Sequence, residues 1–308
     1  MSQQQSYTIE EVAQLLKVSK LTIYDLVKKG ALPVFRVGRQ MRVDYADLQL
    51  YIQQRKTGAS LVVPTSIAPH VQPTSNIIIS GQDIVLDILG KYIEKKQTYK
   101  VLRSHEGSFN GVMALYNGSC DIASLHMYDG DTREYNVPYL KRIFVSHAYI
   151  VIRLVARQAG FYVQKGNPLQ IHSFADFHAK ELQLINREKG SGARTLLDEQ
   201  LRIQGLSPAT IIGYNNEEKS HIDVASIVAK GDADVGIGIE KVAKLLEVDF
   251  VPLMKEYYDI VLLKTSDNEH LIRVVKDSLT STDFQAEIAA LGGYDITETG
   301  QVIYETLF

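Results

Sequence analysis

From Asn76 onward the chain alternates short runs of β-branched residues with amphipathic stretches, and that rhythm admits few folds. NIIIS is followed by the helical pattern DIVLDILGKYIEKK, then by the strand-like TYKVLRS and a helical stretch around GVMALYNGS. Later come ELQLINRE, a helical pattern from about Ala193 to Gln204, the short strand VGIGI, and DIVLLK ahead of two further helices. Strands that alternate with helices form parallel β-α units, so an α/β domain is predicted over 76–308. Arg142–Val163 is rich in β-branched and aromatic residues, which suits strands crossing between two lobes. The lobes are placed at about 76–155 with 256–308, and at about 156–255.

A different pattern precedes this one. Residues 57–75 hold Pro64, Pro69 and Pro73 among several Ser and Thr, and read as a linker. Before it, Ile9, Val12, Ala13 and Leu16 fall at helical spacing, with Thr8 as N-cap and Glu11 closing a capping box. Ser19 opens a second helix, with Ile23, Leu26 and Val27 on one face and Gly30 as its stop. Two short helices joined by a tight turn make a helix-turn-helix. Pro33 then starts an extended stretch with Gly38-Arg39 as a hairpin tip, and a third helix is expected from Asp44. The whole, residues 1–56, is a small α domain with a β-hairpin.

Charge separates the two parts. Residues 1–60 carry nine Lys and Arg against five Asp and Glu, about +4, although the chain of 308 residues is −3 overall. A basic front on an acidic body of about −7 suggests a nucleic-acid module attached to an unrelated domain. Cys120 is the single cysteine, which excludes an internal disulfide and any multi-cysteine metal site. MSQQQSYTIEE has neither the basic nor the apolar region of a signal peptide, and runs such as Tyr149–Ile152 are too short to span a bilayer. A cytoplasmic protein without membrane contact is expected.

On the second helix, Ser19, Lys20, Thr22, Tyr24 and Lys28 offer side chains suited to base edges and phosphates, and the hairpin adds Arg36, Arg39 and Arg42. The run YTIEEVAQLLKVSKLTIYDLVKKGALPVFRVGRQMRVDYADLQLYI resembles the excisionase-type, MerR-like winged-helix family over about residues 7–56. The resemblance implies that Ser19-Lys20-x-Thr22-x-Tyr24 begins a recognition helix. It makes Gly30-x-Leu32-Pro33 with Phe35–Arg42 the wing, and double-stranded DNA the partner. Leu21 departs from the pattern, since many relatives carry a basic residue there.

The richest stretch of the larger part is Asn186-Arg187-Glu188-Lys189-Gly190-Ser191-Gly192-Ala193-Arg194, between an apolar strand and a helix. Its glycines let backbone approach a ligand, the first N–H groups of the helix lack partners, and the arginines add charge, so it reads as an anion cradle. It has neither the Walker spacing nor a GxGxxG form. Ser80-Gly81 and Ser104-His105-Glu106-Gly107-Ser108 also join strands to helices, and such loops gather where open α/β sheets bind ligands.

Residues from about 76 to 303 look like a cytoplasmic version of the periplasmic molybdate/tungstate-binding protein domain. The matching segments are SHEGS (104–108), REYNVPY (133–139), NREKGSGAR (186–194), SHIDVASIVAKGDADVGIGI (220–239), DFVPL (249–253) and GGYDITETG (292–300). The resemblance implies a type II periplasmic-binding-protein fold of two lobes closing on an oxyanion, with molybdate or tungstate as effector and no cofactor. Ser80, Gly81, Ser104, His105, Ser108, Arg187, Gly190, Ser191, Gly192 and Arg194 become candidate ligand-binding residues, with His221 and Tyr258 beside the cleft between the lobes. Ala193 replaces a Thr of many relatives and removes one hydroxyl.

No catalytic set emerges. His105, His126, His147 and His221 lack zinc-ligand spacing, Cys120 has no base nearby in sequence, and Asp232 and Asp234 suit a turn before a strand. The expectation is a ligand-responsive transcriptional regulator acting as a homodimer or higher homo-oligomer, not an enzyme. Two alternatives stay open: the same architecture sensing a small organic anion, or an oxyanion storage protein or enzyme that does not bind DNA.

Overall fold

The computed structural model describes residues 6–28, 32–37, 40–45, 47–48, 51, 75–96, 98–179 and 181–307. The chain divides into two compact units, Met1–Pro69 and His70–Phe308.

In the first unit β1 (Ser6–Thr8) leads into α1 (Ile9–Leu15), then α2 (Lys20–Lys28), β2 (Phe35–Val37) and β3 (Gln40–Asp44). The capping box exists: Glu11 N donates to Thr8 Oγ1 at 3.3 Å, and Thr8 N donates to Glu11 Oε2 at 2.7 Å. Such a cap contributes about 1 kcal/mol to a short helix. Ser19 Oγ accepts the Thr22 N–H at 3.2 Å and starts α2 in the same way. Ile9, Val12, Ala13, Ile23, Leu32, Val43 and Leu48 pack into one small core. The strands form an antiparallel sheet in the order β1-β3-β2. Strand β1 has no counterpart in the sequence reading, because three residues are too few to show alternation. Gly30, the Gly38-Arg39 tip and residues 57–74 of the expected linker lie outside the described residues. Of the helix expected after Asp44, Tyr45, Asp47, Leu48 and Tyr51 are described and are helical, while Asp44 itself ends β3.

The second unit begins with β4 (Ser75–Ser80), α3 (Val85–Glu94), β5 (Tyr99–Ser104), α4 (Ser108–Tyr116), β6 (Ile122–Leu125), β7 (Tyr128–Asp129), β8 (Glu134–Tyr135) and α5 (Val137–Ile143). It continues with β9 (Tyr149–Val163), α6 (Asp176–Ala179), β10 (Leu184–Arg187), α7 (Gly192–Ile203), β11 (Glu217–Glu218), α8 (His221–Lys230), β12 (Val235–Ile239) and α9 (Glu240–Leu246). Last come β13 (Asp249–Leu263), α10 (Glu269–Leu279), α11 (Thr282–Leu291) and β14 (Val302–Glu305).

One nine-stranded sheet runs β11-β10-β12-β9-β13-β6-β4-β5, with β14 added on β9. Pairing is parallel at both ends, as β-α units require, but antiparallel where β9 and β13 meet each other and their neighbours. DIVLL is only the last third of β13, which starts ten residues earlier at Asp249 and is 15 residues long. Charged and bulged residues at Lys255–Tyr258 hide that continuity from a hydropathy pattern.

Strands β9 and β13 each serve two lobes. Ile150, Ile152, Leu154, Ile260 and Leu262 bury in one core with Ile77, Ile79 and helices α3, α10 and α11. Val112, Leu115, Phe144 and Val261 fill the other face of that lobe. Further along the same strands, Phe161 packs with Phe174, Phe177 and Leu196, and Tyr162 with Val224 and Val228. Two lobes, each a sheet with helices on both faces, therefore grow from one pair of crossing strands. Among the described residues no helix is long and apolar enough to cross a membrane.

Candidate functional site

The strand-to-helix loops of both lobes face one another over the crossing strands and enclose a cleft of about 740 Å³. Lobe 1 contributes Gly81 to Ile84 between β4 and α3, and Glu106 to Ser108 at the start of α4. Lobe 2 contributes Arg187 at the end of β10, Ser191 and Gly192 at the start of α7, and Ser220 to Ile222 at the start of α8. Arg157 of β9 and Tyr258 of β13 form the floor with Ser124 and His126.

The floor is a buried charge network. Arg157 pairs with Asp83 and, through Nε, with Glu256 Oε1 at 2.5 Å, and its guanidinium lies over the Tyr258 ring at 4.5 Å. Glu256 Oε2 is 2.9 Å from His126 Nδ1. Burial alone would raise the Glu256 carboxyl, but the Arg157 charge and then His126 outweigh it and hold it well below the usual carboxylate range. Burial, then the charge of Asp83, pushes the Tyr258 phenol up to about 12, so it stays a neutral hydroxyl bonded to Ser124 Oγ at 2.7 Å. Burial, with the charges of Arg187 and Arg157, holds His221 well below its ordinary range, and its buried Nδ1 has no partner among the described residues.

Above this floor, beside the Glu106 carboxylate, hydroxyl and N–H donors line the cleft. Ser108 Oγ accepts the His126 main-chain N–H at 3.2 Å, and Ser191 Oγ accepts that of Arg194 at 3.2 Å. Each hydroxyl keeps its own proton for an acceptor in the cleft. Helices α4, α7 and α8 all start here, and their first N–H groups carry the positive end of the helix dipole. Arg187 and Arg157 are neutralised by carboxylates, so an anion would be held chiefly by N–H and O–H groups.

Two glycines make the approach possible. Gly81 has φ +143, and a Cβ there would lie 1.9 Å from Ser124 Oγ. A Cβ on Gly192 would lie 2.4 Å from the His126 ring. The lobes touch at both ends of the cleft. Gln82 Oε1 accepts from Arg187 Nη2 at 2.7 Å, and Phe109 N donates to Gly190 O at 2.9 Å. At the far end Lys241 Nζ donates to Leu291 O at 3.2 Å and lies over the Tyr294 ring.

A PBP superfamily domain matches residues 90–280, and a helix-turn-helix domain matches residues 6–56. The chain belongs to the PBP superfamily. YvgK of Bacillus subtilis, an uncharacterized protein, is 49% identical over 312 residues, covering 99% of this chain and 100% of its own. An ancestral arginine-binding protein bound to arginine superposes with a TM-score of 0.52 at 16% identity, covering 73% of this chain and 100% of that one. A phosphate transporter substrate-binding protein from Clostridium perfringens gives 0.51 at 14%, covering 72% and 99%. At these identities the structural likeness is one of fold.

In this PBP-superfamily cleft, Gly81, Ser108, Arg187, Ser191, Gly192, His221 and Tyr258 of the sequence-derived set come together. The others do not line it. Ser80 is fully buried with Oγ directed at Gly111 of α4, and Ser104 only offers its carbonyl to Gly81 N at 2.8 Å. His105 is exposed and gives its carbonyl to Gln82, while Gly190 serves the bond between lobes. Arg194 corrects the reading of an oxyanion contact. Its guanidinium bonds Asp198 at 3.1 Å and Glu217 at 2.9 Å and stacks on Tyr214, so it braces lobe 2.

Sequence reasoning missed Gln82, Asp83, Ser124, Arg157 and Glu256, and set His126 aside. An arginine within the apolar run YIVIRLVARQAGFYV was the available signal, since a charge in a buried strand needs a buried partner.

In the helix-turn-helix unit, Ile23 of α2 is buried while Lys20, Thr22, Tyr24 and Lys28 are exposed. Lys20 Nζ lies 2.9 Å from Glu10, and Ser19 is occupied as cap. Arg42 is half-buried and its Nη1 donates to Ser6 Oγ at 3.5 Å, so it supports the sheet as well as its surface. Arg39 and the side chain of Arg36 lie outside the described residues.

Proposed function

We propose that this chain is a cytoplasmic one-component transcriptional regulator: its helix-turn-helix reads double-stranded DNA as a homodimer, and its PBP domain binds a small anionic effector. The observation that carries the reading is the convergence of three helix N-termini, from both lobes, on one cleft that also holds the Ser108 and Ser191 hydroxyls. The role is binding, not catalysis. Ser108 and Ser191, the hydroxyls at the helix starts, bond main-chain amides and not a histidine ring. Molybdate and tungstate, implied by the sequence resemblance, are the simplest anions that suit such donors.

Closure on the anion would favour one arrangement of the lobes by its differential affinity, and a dimer would carry that shift to two DNA half-sites. The test is calorimetry of the full-length chain with molybdate, tungstate and sulfate, beside a Ser108→Ala/Ser191→Ala variant. Gel-shift titration on fragments of the producing genome, with and without the anion, completes it. Binding of an oxometalate that the variant loses and that alters the DNA shift supports the proposal. Absence of any DNA shift returns the chain to the storage or enzyme reading.

A further inference from the structure

The donor groups occupy only one part of the cleft. They cluster where Ser108, Ser191, Gly192 and Arg187 meet, linked through His126 and Gln82 to one another. The opposite part is walled by α9 and the end of α11, where Val242, Leu245 and Leu291 present apolar surface and Lys241 is already engaged. Ile84 on lobe 1 and Ile222 and Leu245 on lobe 2 line the same cleft, and these three residues are 51%, 48% and 68% exposed.

Size points the same way. A tetraoxyanion takes the space of a few water molecules, on the order of 100 Å³ at about 30 Å³ each. The cleft is about 740 Å³ even with its lobes in contact at both ends. Cavities of about 300–1,000 Å³ enclose organic molecules, with apolar walls and a few placed polar groups that fix orientation. Large apolar side chains left open on both lips of one cleft are surface that a bare oxyanion would never touch.

We infer that the effector is a two-part organic anion: an anionic head at the starts of α4 and α7, and an apolar, ring-sized body against Ile84, Ile222, Val242, Leu245 and Leu291. This rests on the anion-binding reading above and names the chemical class that fills the rest of the site. A bare tetraoxyanion then occupies the head position alone.

The test uses the full-length chain with two probes, tungstate and anilinonaphthalene sulfonate, the second carrying a sulfonate head on a fused aromatic body. The sulfonate is expected to bind one-to-one and to be displaced by tungstate, because the two share the head position. A Leu245→Gln variant, altered only at an exposed and uncharged position of α9, should weaken the sulfonate by about fivefold and tungstate by less than about twofold. Circular dichroism checks that the variant is folded. Sulfonate affinity unchanged in the variant, or no competition with tungstate, overturns the two-part effector while tungstate binding keeps the anion reading alive. Neither probe binding overturns both.

Discussion

The side-chain oxygen of Gln82, in lobe 1, accepts a 2.7 Å hydrogen bond from Nη2 of Arg187, in lobe 2, beside the donor end of the cleft. Arg187 is itself fixed by Glu188 Oε2 at 2.8 Å and by Lys219 O at 3.0 Å, so Gln82 meets a rigid partner. The bond exists only when the lobes are together. Gln82→Ala should therefore move the population toward the open form. A charge-assisted bond is worth about 1.5–3 kcal/mol when buried, and about 1 kcal/mol at this part-buried position. The expected result is about fivefold weaker tungstate binding and a larger radius of gyration by X-ray scattering of the unliganded protein.

Gly192→Ala should damage the cleft from below. The new methyl would fall within 2.4 Å of the His126 ring, which would have to leave its place beside Glu256. Overpacking of this kind costs about 1–3 kcal/mol. Urea denaturation should show that loss of stability, and calorimetry should show weakened anion binding.

Arg157→Met removes the single guanidinium that faces both Asp83 and Glu256. Two buried carboxylates would lose their countercharge, a loss of about 3–5 kcal/mol. Adding Glu256→Gln to that variant should recover part of the stability, because one uncompensated charge disappears. Denaturation midpoints of the single and double variants check the sign, and a double variant less stable than the single would overturn this account.

His221 gives the fold an acid sensitivity above the range where carboxylates titrate. Its folded pKa lies below the unfolded value, so the unfolded chain takes up a proton first as pH falls. The stability from the neutral ring is complete above about pH 6.5 and declines by about 1.4 kcal/mol per pH unit as pH drops toward the folded pKa. His221→Gln should flatten the stability profile between about pH 6.5 and 5, read by thermal melts in matched buffers.

Lys28→Ala on the exposed face of α2 should weaken DNA binding evenly across sequences. If Lys28 meets a phosphate, the slope of log affinity against log salt falls by about 1. Tyr24→Ala, in contrast, should change which sequences are preferred in a selection from random duplexes. Equal effects of the two variants on slope and preference would reject this division of roles.

The sequence reading succeeded where signals are local. Thr8 with Glu11 and Ser19 with Thr22 are caps written within three residues, and the glycine- and serine-bearing loops mark the edge where the cleft opens. It failed where partners lie far apart along the chain. Arg157 meets Glu256 across 99 positions and Asp83 across 74; the pairing of β9 with β13 sets Glu256 opposite it, and β6 and β4 beside them bring in Asp83. Arg187 and Arg194 look alike in sequence. The first ends a strand and points across the cleft, while the second sits in the first turn of α7, where Asp198 one turn later draws it away.

The two crossing strands also set an order of assembly. The helix-turn-helix has its own core, buried at residues 9–48 with Tyr7 and Tyr51 packed against it. The PBP domain is different: β9 gains β12 only with residues 235–239, its long partner β13 about 100 residues after its own start, and β14 only with residues 302–305. Domains fold as units as they leave the ribosome, so a nascent chain carries a finished DNA reader well before its sheet can close. A stalled or truncated chain would thus be a DNA-binding fragment deaf to the effector, able to compete with complete copies for the same sites.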